Sequence, residues 1–150
     1  MIAIDTNALI VIILGLIDTR LIGQHKRTSI YEEQDFHDLM AVIETFDKLV
    51  VLPNVWTEVD NLLNKFGGER KYQYVTKTCE TMKAASEKFI ESILGTESDG
   101  YYNLGLTDSL LLELAKDCDL LITSDSSLSD FAVANNIKVF DTVKNRNERL

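Results

Sequence analysis

The chain alternates short apolar runs with longer stretches of helical spacing, and this alternation most restricts its fold. Residues 1–5, 49–52, 119–123 and 137–140 read as four strands. Helical patterns lie between them. Strands that alternate with helices imply an α/β fold with a central parallel sheet and right-handed crossovers, here a three-layer α/β/α sandwich. The apolar stretch 8–17 reads as a buried first helix that Asn7 can cap, and 18–30, which contains Gly23, reads as a loop. Residues 31–48 carry Phe36, Leu39, Met40, Ile43 and Phe46 at helical spacing. A helix opening at Asn54 runs to about Phe66 and stops at Gly67-Gly68.

Residues 69–94 read as one long helix with Tyr72, Val75, Cys79, Met82, Phe89 and Ile93 along one side. A polar loop over 95–103 follows. A helix capped by Thr107 then extends to about Lys116, and a short helix covers 126–135. No internal repeat, low-complexity tract or linker interrupts the pattern, so a single domain over residues 1–150 is expected.

With 45% hydrophobic residues the chain has the means to bury a core. The 15 basic against 24 acidic residues give a net charge of −9, adverse for phosphate contacts unless bound cations supply positive charge locally. Cys79 and Cys118 suit neither a zinc motif nor a disulfide framework and read as buried or half-exposed free thiols, which points to a reducing cytoplasm. The run 8–17 is too short to cross a membrane and lacks the basic start of a signal peptide.

Four acids stand at strand ends or helix starts: Asp5 in Ile-Asp-Thr-Asn, Glu58 after the second strand, Asp108 in Gly-Leu-Thr-Asp, and Asp125 closing Leu-Ile-Thr-Ser-Asp. Taken singly none is specific, since each could be a helix cap or a solvated residue. In an open parallel sheet, however, these positions share one edge. Four carboxylates gathered there call for a compensating cation, and oxygen-only ligands select Mg²⁺ or Mn²⁺.

In order and setting, these motifs resemble the four acidic motifs of PIN-domain ribonucleases. The resemblance extends through the final helix and strand and covers nearly the whole chain. It implies a PIN-like fold and a metal-dependent endoribonuclease in which Asp5, Glu58, Asp108 and Asp125 bind the metal. Asn7 and Thr123 would orient carboxylates or water around them. Metal-assisted hydrolysis of RNA would leave a 5′-phosphate and a 3′-hydroxyl without a protein nucleophile.

The segment between Asp5 and Glu58 is longer than in compact toxin members of the family. It holds the densest basic cluster, and Arg20, Lys26 and Arg27 are expected to grip the RNA backbone. Family toxins pair with an antitoxin that inserts a basic segment, and an acidic catalytic edge would attract one. Members often dimerise, so a homodimer is a further expectation. Asp130 reads as a helix-surface residue.

Other phosphotransfer readings fit less well. A haloacid-dehalogenase pattern needs an Asp where Asn7 stands, and a receiver domain needs an acidic pair and a late Lys that are not met cleanly. The alternative from another class is a catalytically silent PIN-like scaffold that binds protein or RNA. Stabilisation by Mn²⁺ would separate the two.

Overall fold

The computed structural model describes residues 1–46 and 48–149. In chain order the elements are β1 (Ile2–Ile4), α1 (Thr6–Ile17), α2 (Leu21–Gln24), α3 (Glu33–Glu44), β2 (Leu49–Val51), α4 (Pro53–Leu63) and α5 (Gly68–Ala84). Then follow β3 (Ser86–Glu87), α6 (Ser92–Thr96), α7 (Tyr101–Ala115), β4 (Leu120–Thr123), α8 (Ser126–Ala134), β5 (Val139–Asp141) and α9 (Thr142–Arg149). The five strands form one parallel sheet in the order β3-β2-β1-β4-β5. Helices flank it on both faces in an α/β/α sandwich: α1 packs with α3, α4 and α5, while α7 packs with α6 and α8.

The inner strands β1 and β4 are buried along their whole length, covered on both sides. Ile2, Ala3, Ile4, Leu121 and Ile122 are fully buried, as expected of a parallel sheet between helix layers. Helix α1 is apolar around nearly its whole circumference, with Ala8 to Leu14 all buried, so it lies inside the fold. No described helix is long and apolar enough to cross a membrane.

Strand order places β2 and β3 on one side of β1 and β4 and β5 on the other. The direction of winding therefore reverses between β1 and β4. In such sheets the crevice beyond the carboxyl ends at the reversal is where ligands bind.

Several expectations need correction. Asp5, rather than Asn7, caps α1. The segment 18–30 contains the one-turn helix α2 and buries Leu21, Ile22, His25 and Thr28. The long helix expected over 69–94 ends at Ala84, and the chain then adds β3 beside β2, pairing Val50 with Ser86 and Val51 with Glu87. The side carrying Tyr72, Cys79 and Phe89 faces outward, so Cys79 is exposed rather than buried or half-exposed, and the buried side of α5 carries Tyr74 and Thr78. The loop expected over 95–103 holds the end of α6 and the start of α7, which is broken at Gly105. Helix α9, absent from the sequence reading, is capped by Asp141, whose Oδ1 accepts from the N–H groups of Val143 and Lys144, both at 3.0 Å.

Candidate functional site

Asp5 leaves the end of β1 in extended conformation and caps α1, its Oδ1 accepting from the Ala8 N–H at 2.9 Å. Its Oδ2 accepts from Thr123 Oγ1 at 2.6 Å and from the Ser124 N–H at 3.0 Å. The side chain is thus fixed across the winding reversal, tied both to its own helix and to the end of β4. Thr123 Oγ1 in turn accepts from the Asp125 N–H at 2.9 Å. Asp125 caps α8, with Oδ1 accepting from the Leu128 N–H at 3.0 Å. Capping and site placement, which compete as explanations in the sequence, are both true of these two acids.

Glu58 comes from α4, which starts directly after β2 with Pro53 in its first turn. Its Oε2 accepts from Thr6 Oγ1 at 2.6 Å. Asp108 lies just beyond the break in α7. There Gly105 adopts φ 79° and ψ −176°, a region open essentially to glycine alone, and the chain restarts its helix with Asp108 in the new first turn.

All four acids line one cavity of about 210 Å³, together with Thr6, Asn7 and Arg27. Burial raises the Asp5 carboxyl above its ordinary value, against the pull of the hydrogen bonds from Thr123, Ala8 and Ser124. Asp108 is pushed up to about 7, first by burial and then by the charges of Asp125, Asp5 and Glu58. These four acids repel one another, and Arg27 is the basic side chain among the cavity's lining residues.

Asn7 makes no hydrogen bond to orient a carboxylate; its Oδ1 is buried without a partner while the residue lines the cavity. Thr123, by contrast, donates directly to Asp5. Of the three basic residues singled out in the sequence, Arg27 lines the cavity with the acids. Lys26 lines an adjoining cavity, and exposed Arg20 is held by Asp18 at 2.8 Å and lines neither. Asp130 is exposed on α8. Thr6, which positions Glu58, escaped the sequence reading. The signal for it was a hydroxyl at the first position of a helix that is apolar beyond Asn7.

The donors facing the cavity are oxygens, a hard set suited to Mg²⁺ or Mn²⁺. Among the described residues, no three His, Cys, Asp or Glu side chains form a group that could hold a metal ion as it stands. A preformed cage is not what Mg²⁺ needs, since it keeps several waters and takes only one or two carboxylates directly. The orphaned Asn7 oxygen and the upward-shifted Asp108 are both features that a hydrated cation would relieve. The donor set fits such an ion.

No family model matches the chain, and no curated protein matches it. Among solved structures it is similar to a domain of a functionally unknown protein from Methanocaldococcus jannaschii DSM 2661, at 16% identity with a TM-score of 0.47, over 93% of this chain and 89% of that one.

Proposed function

We propose that the protein is a metal-dependent endoribonuclease of the PIN-domain kind. The reading rests on one observation: four carboxylates from four separate segments line a single small cavity beside the winding reversal of a parallel sheet. A bound Mg²⁺ or Mn²⁺ supplies the charge that polarises a phosphodiester and acidifies water. The chain's own residues hold the arrangement in place. Asp5 and Asp125 are fixed as helix caps, Thr123 links the two, and Thr6 aims Glu58. Asp108, its carboxyl pushed up to about 7, would in its deprotonated form help to hold the cation. Arg27, exposed at the cavity, neutralises a scissile or neighbouring phosphate.

The acidic rim also suits the basic segment of an antitoxin, so a toxin of a toxin–antitoxin pair falls within this proposal. Exposed Cys79 and half-buried Cys118 are free thiols, in keeping with action in the cytoplasm. The second reading, a silent scaffold that binds protein or RNA, draws support from the lack of a ready-made metal group among the described residues.

Cleavage of a 5′-labelled RNA in Mg²⁺, Mn²⁺ or EDTA, together with thermal melts in the same buffers, separates the readings. Metal-dependent cutting that Asp108→Asn abolishes without unfolding the protein supports the nuclease. Absence of both cutting and Mn²⁺ stabilisation leaves the scaffold.

A further inference from the structure

A second, larger cavity of about 660 Å³ adjoins the acid cavity and shares Arg27 with it. Its chemistry is the reverse of its neighbour's. Lys26, Arg27, Lys65 and Arg70 line it and, among the described residues, no acidic one does, in a chain whose net charge is −9. Four cations have been collected where the rest of the molecule is anionic. Such a concentration marks a site for phosphates.

The wall between the cations is aromatic. His25, Phe66 and Tyr74 form a cluster with ring centroids 5.3 Å apart for His25–Phe66, 5.0 Å for Phe66–Tyr74 and 6.3 Å for His25–Tyr74. Tyr74 is 3% exposed and meets Phe66 edge-on, so it supports the ring from behind. Phe66 is 37% exposed and offers its ring to the cavity.

His25 supplies an independent mark of a ligand. It is 7% exposed, its Nδ1 accepts from the Arg27 N–H at 3.2 Å, and its Nε2 is buried without a partner. Burial and the Arg27 charge hold its pKa below the ordinary value, so the ring is neutral at pH 7. With Nδ1 accepting, the proton sits on Nε2. That leaves a buried, unused donor on a residue that lines the cavity.

We propose that this cavity is a nucleotide-holding subsite for single-stranded RNA: a base stacks on Phe66 and accepts from His25 Nε2–H, while Lys26, Lys65 and Arg70 hold flanking phosphates and Arg27 passes the strand to the acid cavity. An aromatic face and a lone donor between cations match a base with phosphates on either side. An acidic peptide would use the cations and leave the ring and the donor idle. The proposal rests on the nuclease reading for its direction, but its binding step needs no catalysis.

Fluorescence anisotropy of labelled oligouridylate in EDTA, where no cutting occurs, tests it. The wild type should bind, and Phe66→Leu, which keeps apolar bulk but loses the ring, should weaken binding about five- to 150-fold. Lys65→Ala and Arg70→Ala, both at exposed positions, should each lower the slope of log affinity against log salt by about 0.7. Asp108→Asn should bind at least as tightly as the wild type. Unchanged affinity in Phe66→Leu and an unchanged slope in both cation variants overturn the subsite, even if the protein cuts RNA. So does equal displacement by polyaspartate with no dependence on Phe66. Ring-dependent binding by a protein that never cuts keeps the subsite and removes the nuclease.

Discussion

Asp108 is held with three like charges around it and its carboxyl pushed up to about 7, while the unfolded chain gives it an ordinary value of 3.8. Between those values the folded protein keeps a proton that the unfolded chain has released. Folding then takes up a proton, so stability falls as pH rises from about 4 to about 7 and stays low above that. Thermal melts in EDTA across this range should show the wild type losing stability relative to Asp108→Asn as pH rises. Parallel curves would contradict it. Mn²⁺ should have the opposite trend and stabilise most above about pH 7, where Asp108 has no proton to lose.

At this scale the acids were legible because each follows an apolar run or opens a helix within a few residues, a purely local signal. The Thr6–Glu58 hydrogen bond joins residues 52 apart, and nothing in either neighbourhood announces it. Arg20 and Arg27 look alike in sequence. They differ because Asp18 captures one, while the other lines the cavity that holds the acids.

Two glycines decide how elements meet. A Cβ at Gly15 in α1 would stand 2.1 Å from Phe36 Cδ2, so α1 and α3 approach as closely as they do only because it is missing. Gly15→Ala should lower stability by about 1–2 kcal/mol in urea unfolding, overpacking outweighing a gain in helix propensity of about 1 kcal/mol. At Gly105 an added Cβ would meet nothing within 4 Å, so the penalty is entirely backbone strain at φ 79°. Gly105→Ala should cost about 1–3 kcal/mol. It should also reduce Mn²⁺ stabilisation, because the break in α7 places Asp108.

Elements with strong local patterns were legible, notably α1 and the inner strands. The chain from 69 to 94 was not. Its apolar spacing continues past Ala84 with no glycine or proline to mark an end, and a two-residue strand is too short to show alternation. Helix α9 was missed because it has almost no apolar face; arginines attach it instead.

Those arginines bind distant parts of the whole molecule. Arg149 reaches Asp35 at 3.0 Å and also contacts Asp38, while Arg146 sits 3.7 Å from Asp35 and donates to the Ile30 carbonyl at 2.6 Å. Asp35 is 2% exposed and also closes the capping box of α3, accepting from the Glu32 N–H at 2.7 Å. Arg149→Ala should therefore move the urea midpoint down, because Asp35 loses its closest guanidinium. An unchanged midpoint would mean that Arg146 alone satisfies Asp35.

The borders of the sheet carry a consequence for how this protein behaves when crowded. One border is β3, two residues long and followed by Lys88, which pairs with Asp117 at 3.3 Å; the other is β5, three residues ending in the charged Asp141. Neither border presents a flat run of unpaired backbone long enough to template a foreign strand. The native fold is thus guarded against edge-to-edge strand pairing at high concentration, and aggregation by that route would have to begin from molecules that have first opened.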